Sequence, residues 1–335
     1  RDRGPSRPGA RRMTTAPTFT ILLPIHRPPD LLHFAVGSVL RQTRPDFELF
    51  VICDGAPAAT AEAARAYEAQ DPRIRARVHP KGERNGEAWR HLALQEARGR
   101  VVCQIGDDDL WFPEHLAEAE ALMAEADFGN TLPLYMEPDG SARLQFNDFA
   151  DPTVRRQMAE GLGNAFGPTP SAYRMETYRA LPVGWSPAPP ESRWSDLFMW
   201  RKFLALPGIR CATRFVASSM TFPQALRQDW TMEGRREEIA TWSQRIQDPA
   251  VRDRLWRSGL ADAAHRLTAA RVQISAARSV AKTLLTSVDV AEEALTRIAG
   301  GGDSETHIRL AREALAKLPD RARRDGIRPP TAQKS

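Results

Sequence analysis

Between residues 18 and 106 the chain alternates four apolar runs with amphipathic stretches, and that alternation constrains the fold more than any other feature. Residues 18–25 (TFTILLPI) and 47–54 (FELFVICD) are apolar at nearly every position, 73–79 is a weaker run, and 100–106 (RVVCQIG) is the fourth. A strand apolar on both faces must be covered on both. The stretches between them read as helices. One runs from an Asp30 N-cap to Gln42, with Leu32, Ala35, Val36, Val39 and Leu40 on one side. An alanine-rich helix follows over about 58–69, and another over 87–97. Strands of this kind separated by helices predict an α/β fold with a mostly parallel central sheet flanked by helices.

Beyond residue 110 the pattern loosens. Residues 131–136 and 142–146 flank Pro138-Asp139-Gly140, a hairpin signal. Helical patterns follow at 151–161, 175–181 and 194–205, and residues 209–218 read as a last strand. Residues 236–320 are almost wholly helical in pattern, with Gly300-Gly301-Gly302 and Asp303 between two helices as a stop and an N-cap. The expected organisation is a basic disordered leader over 1–17, a catalytic-type domain over 18–230, an α-helical C-terminal extension over 231–327 and a disordered tail over 328–335.

Charge argues against a nucleic-acid partner. The chain carries +5, but residues 1–12 (RDRGPSRPGARR) hold +4 of it, leaving about +1 for the rest. The predominance of arginine over lysine, 42 to 5, reads as codon bias of a GC-rich genome rather than as chemistry. No run approaches the roughly 18 apolar residues of a membrane span, and residues 1–17 lack the apolar core of a secretion signal. Cys53, Cys103 and Cys211 fit neither a disulfide framework nor a zinc spacing, so the expected setting is cytoplasmic, with peripheral contact at the inner face of a membrane left open.

Residues 101–116 (VVCQIGDDDLWFPEHL) concentrate the chemistry. The fourth strand runs into Asp107, Asp108 and Asp109, at the strand end where open α/β sheets bind ligands. Three adjacent carboxylates repel unless a cation compensates, and hard oxygen ligands suit Mn²⁺ or Mg²⁺. A solvated acidic turn accounts for the triplet equally well on its own. The second strand ends at Asp54 and the first at Pro24, Ile25, His26 and Arg27, so all three ends open on one edge. Taken singly, Asp54 reads as a turn residue and His26 as a cleft wall.

Taken together, these residues resemble the family 2 glycosyltransferases with the GT-A fold. The family pattern has a strand ending in proline, a helix of the form SVLxQT and a strand ending in aspartates; here it reads ILLPIHRPPDLLHFAVGSVLRQTRPDFELFVICDG. Asn85-Gly86 with Arg90-His91 take the place of the family's NxGxxxARN, residues 93–99 that of GLxxAxG, and GDDDLWFP that of its DXD-like motif. The segment Trp194-Ser195-Asp196-Leu197-Phe198-Met199-Trp200 resembles EDxDLW, and residues 167–174 the strand before the acceptor helix. The resemblance covers about residues 18–225.

The resemblance implies an inverting transfer from a nucleotide-diphosphate sugar, a UDP-sugar first, to a sugar or glycan acceptor. It places Pro24, Ile25, His26, Arg27, Asp54, Asn85, Arg90 and Asp107 around the donor nucleotide, and Asp108 with Asp109 at the metal. It makes Asp196 the base, with Glu191 in reserve; alone, Asp196 reads as a helix N-cap. Cys53, Gly106 and Ser195 depart from the family's acidic positions, which keeps a non-catalytic sugar- or nucleotide-binding module in view, with a nucleotidyltransferase as a third reading. No histidine follows the last strand, so Arg227 is the expected phosphate-neutralising cation. The C-terminal helices are expected to pack on the domain or to mediate self-association.

Overall fold

A computed structural model describes residues 16–299 and 304–317. The expected leader and tail, and the glycine run at 300–302 with Asp303, lie outside the described residues.

The four apolar runs form β1 (Phe19–Ile25), β2 (Phe47–Asp54), β3 (Ile74–His79) and β4 (Val101–Gln104), ordered β3-β2-β1-β4 and mutually parallel. Every residue of β2 is buried. The odd residues of β1, Phe19, Ile21, Leu23 and Ile25, share a core with Leu32, Ala35, Val36 and Val39 of α1 (Leu32–Leu40) and with Leu116 and Ala119 of α4 (His115–Glu125). Leu22, Phe50, Ile52 and Val102 face the other way, against Ala93 and Leu94 of α3 (Glu87–Glu96) and against Leu197, Trp200 and Phe203 of α7 (Ser195–Leu204). Two-sided burial is what unalternating strands require. Pro24 sits in a central strand without breaking it: β4 pairs with β1 only as far as Leu22–Gln104, so the missing N–H points where the ladder has ended.

The alanine-rich segment forms α2 (Ala58–Gln70). Asp30 does not cap α1; the helix starts one residue after Leu31, which makes no side-chain cap bond. The short strand β5 (Leu110–Trp111) was not expected. The hairpin was, and it joins β6 (Phe128–Met136) to β7 (Ala142–Leu144). α5 (Pro152–Ala159) is capped by Asp151, whose side chain accepts from the Thr153 N–H. β8 (Ser171–Arg174) runs antiparallel to both β4 and β6, α6 (Met175–Arg179) follows it, and β9 (Cys211–Thr221) lies parallel to β6 and antiparallel to β5. The sheet is therefore parallel through β3-β2-β1-β4 and mixed beyond.

Downstream, α8 (Met232–Arg245) is capped by Thr231 Oγ1, which accepts from the Gly234 N–H at 3.1 Å. Ile239, Trp242 and Ile246 join a third core with Leu132, Leu134, Leu144 and Phe222. The chain divides into two compact units, one ending at Ala263 and one beginning at Ala264. The second holds most of α9 (Pro249–Ala299) and all of α10 (Ser304–Lys317). No helix among the described residues is long and apolar enough to cross a membrane.

Candidate active site

Parallel pairing brings the C-terminal ends of β1, β2 and β4 to one edge, and the acidic residues sit there. Asp54 closes β2 and is buried. Its carboxylate accepts from Lys81 Nζ, from the Gly82 N–H and, at 3.2 Å, from Trp89 Nε1. The register that pairs Asp54 with His79 delivers the loop after β3 to this place. Trp89 stacks on His79, with ring centroids 4.3 Å apart. Gly86 adopts φ +66° against the same carboxylate, and a Cβ there would lie 2.5 Å from Asp54 Cγ.

The triplet after β4 divides three ways. Asp107 is buried and receives a bidentate grip from Arg27, Nε to Oδ2 at 2.7 Å and Nη2 to Oδ1 at 2.9 Å. Burial and the neighbouring Asp108 raise its pKa, while Arg27 opposes them. Asp108 lies between two guanidinium groups, Arg27 Nη2 at 3.2 Å and Arg235 Nη2 at 2.8 Å. Asp109 turns inward, accepting from the Thr169 hydroxyl and, at 3.4 Å, from the Phe222 N–H. Burial, with Asp108 adding to it, pushes Asp109 up to about 8. Among the described residues no three metal-ligating side chains converge on one point.

Along the same edge, the Ile25 side chain belongs to the core, while His26 is exposed and Pro24 partly so. Asn85 is exposed and donates through Nδ2 to Ser195 Oγ at 3.0 Å, which ties the loop before α3 to the start of α7. Arg90 is buried over the Trp185 ring, 5.0 Å from its centroid, and its Nε and Nη1 have no partner. Burial pulls the Arg90 guanidinium down, although Glu87, Asp54 and Asp196 surround it with negative charge.

Asp196 occupies the first turn of α7, where the helix dipole favours an acid. The N-cap position belongs to Trp194, which makes no side-chain cap bond, and Asp196 Oδ2 instead accepts from Asn164 Nδ2 at 2.9 Å. Burial raises its pKa, against the pull of Asn164 and nearby backbone N–H groups. Burial pushes the Tyr135 phenol up to about 12, and the charges of Asp109 and Asp196 add to the shift. Glu191 is exposed in the turn before the helix.

Arg227 does not serve as the expected cleft cation. Its guanidinium is wholly buried, paired with Glu238 and donating to the Met136 carbonyl at 2.9 Å. Besides Arg27, the cation that reaches the triplet is Arg235, far away in sequence on α8, and no local motif announces it. Sequence reasoning also missed Lys81, Gly82, Trp89 and Thr169. For Lys81 and Gly82 a signal existed: a parallel strand next to β2 must place its following loop beside Asp54.

Residues 20–176 match the family model of Glycosyl transferase family 2. The chain is similar to the uncharacterized glycosyltransferase EpsJ of Bacillus subtilis (strain 168), 30% identical over 95 residues that cover 28% of this chain and 26% of that protein. It is also similar to the succinoglycan biosynthesis protein ExoW of Rhizobium meliloti (strain 1021), 32% identical over 111 residues, 32% of this chain and 35% of that one. The matches span only 26% to 43% of the length of these curated relatives. Among solved structures, S. aureus TarS 1-349 in complex with UDP-GlcNAc aligns with 91% of this chain and 82% of its own, at 16% identity and a TM-score of 0.49. The mannosyltransferase PcManGT from Pyrobaculum calidifontis, in complex with GDP-Man and Mn²⁺, aligns over 81% of each chain at 18% identity and a TM-score of 0.44. Residues 20–176 of this chain accordingly match the Glycosyl transferase family 2 model, and they lie in a mixed α/β fold.

Proposed function

We propose that the protein transfers a sugar from a nucleotide-diphosphate donor, a UDP-sugar first, to a hydroxyl of a sugar or glycan acceptor, with inversion at the anomeric carbon. The observation that carries this reading is the single acidic edge at the ends of β1, β2 and β4, inside the segment that matches the family. Asp54, held by Lys81, Gly82 and Trp89, offers a rigid acceptor for the N–H of a base. Asp107, fixed by Arg27, would lie at the ribose.

A divalent cation is best matched by Asp108, the most accessible carboxylate of the triplet, which would exchange its ion pairs with Arg27 and Arg235 for the metal. Asp109 is engaged inward and Asp107 is gripped by Arg27, which leaves Asp108 to hold Mn²⁺ or Mg²⁺, with donor phosphates and water supplying the remaining oxygens. Bound there, the ion would offset charge on the leaving diphosphate. Arg27 and Arg235, already beside Asp108, add positive charge at the same place. Asp196 accepts the acceptor's proton as that oxygen bonds to the anomeric carbon and the bond to the diphosphate breaks. A carboxylate with a raised pKa is the stronger base, and the acid limb of the rate profile should lie above the ordinary aspartate value.

The test is Asp196→Asn, assayed across a panel of nucleotide sugars and glycoside acceptors, with donor affinity measured by calorimetry. Turnover should fall by ~10²–10⁴-fold while donor affinity and melting temperature hold. Unchanged turnover removes Asp196 from the chemistry, and lost donor affinity moves it to the donor site and the base role to Glu191. A wild-type chain that binds donors but transfers nothing across the panel would favour a binding module.

A further inference from the structure

In α9 an apolar seam repeats every seven residues. Leu267, Ile274, Ala281 and Val288 form one row, and Ala270, Ala277, Leu284 and Ala291, three residues later in each repeat, form the other. These are the a and d positions of a heptad, and none of the eight is charged. Arg271, Arg278, Lys282, Asp289, Glu292 and Glu293 all fall elsewhere. The large members are open: Leu267 is 59% exposed, Ile274 54%, Leu284 59% and Val288 54%. Val280 and Leu285 flank the seam and widen it, while Val272 projects from the opposite side.

The period says what kind of surface covers this seam. A straight helix drifts ~20° per heptad against a strict seven-residue repeat, so such a repeat stays in register only against another helix that supercoils with it. We propose that the seam pairs antiparallel with the same seam of a second copy of this chain, about a two-fold axis near residues 282–283.

Two features select that occupant and direction. In the antiparallel register Ile274 meets the second copy's Ala291, Ala277 meets Val288, and Ala281 meets Leu284. Each layer then sets one large side chain against one small one, which fills the interface evenly. A parallel register would stack Ala277, Ala281 and Ala291 on themselves and leave gaps. Charge agrees: along the flank that carries Leu285, Arg271 and Arg278 lie in the first half of the seam and Glu292 in the second. Antiparallel pairing lays the basic half of one copy along the acidic half of the other, with Arg271 beside the second copy's Glu292. The contact is isologous and closes at two chains.

Sedimentation equilibrium of the full chain from about 1 to 100 µM should show a reversible monomer–dimer equilibrium. Leu284 lies in the two central layers and is exposed in the single chain, so Leu284→Asp should weaken dimerisation by at least ~100-fold without lowering helix content. Val272→Asp, on the opposite side, should leave it unchanged. Mixing Arg271→Cys with Glu292→Cys chains should give a cross-linked pair, and Glu292→Cys alone should not link to itself. The proposal fails if the chain is monomeric throughout, if the two aspartate variants behave alike, or if Glu292→Cys cross-links to itself. It also fails if the wild type floats with anionic vesicles as a monomer, which would make lipid the occupant.

Discussion

Gly86→Ala tests whether the Asp54 carboxylate is locked by its surroundings. The substitution has two costs. At φ +66° an alanine pays the left-handed penalty of roughly 1–2 kcal/mol. Its Cβ would also sit 2.5 Å from Asp54 Cγ and 2.6 Å from Oδ2, so the carboxylate must move. It cannot move and keep its bonds to Lys81, Gly82 and Trp89, and a hydrogen bond to a charged group is worth about 1.5–3 kcal/mol. Gly140→Ala is the matched control, because Gly140 has φ +82° and nothing within 4 Å of an added Cβ. Urea unfolding should therefore show Gly140→Ala down by about 1 kcal/mol and Gly86→Ala by roughly 2–4 kcal/mol. Calorimetry with a nucleoside diphosphate should show the second variant alone losing ~10-fold or more in affinity, a difference of about 1.4 kcal/mol. If Gly86→Ala is no worse than Gly140→Ala in both measurements, Asp54 is not held as described and its role at the base is refuted.

Asp108→Asn should abolish the metal-dependent part of nucleoside diphosphate binding and spare the metal-independent part, because Arg27 and Arg235 remain; equal titrations with and without Mn²⁺ in the wild type would reject the metal assignment. Asp109→Asn should flatten the pH dependence of stability. The folded-state pKa is raised to about 8, so this group's contribution is complete below its unfolded value of ~3.9 and is lost as pH rises through about 8. Wild type and variant should be closest near pH 4, and the variant should gain on the wild type by up to about 1.4 kcal/mol per pH unit until about pH 8. Parallel stability curves over that range would count against it.

Some of this protein follows from the sequence alone because the controlling interactions are local or periodic. Strands 18–25, 47–54 and 100–106 are apolar at consecutive positions, and only two-sided burial in a parallel sheet satisfies that. Parallel strands in turn send their C-terminal ends to one edge, so Asp54 and Asp107–Asp109 were legible as neighbours before any coordinates. The family resemblance rests on the same segments, and the family model matches there.

What the sequence could not decide was which charge answers which. Nothing local distinguishes Asp107, Asp108 and Asp109; the fold does, by giving Arg27 to the first, placing the second between Arg27 and Arg235, and turning the third onto Thr169 and Phe222. Arg227 and Arg235 are eight residues apart on one arginine-rich segment, yet the packing of α8 buries one against Glu238 and aims the other at Asp108. Asp196 would have been a helix cap by pattern, and the position of Asn164 makes it a recessed, hydrogen-bonded carboxylate instead. Hydrophobic period is a property of a segment and survives in one dimension. The partner of a charge depends on distances between segments far apart in the chain, and those exist only once the chain has folded.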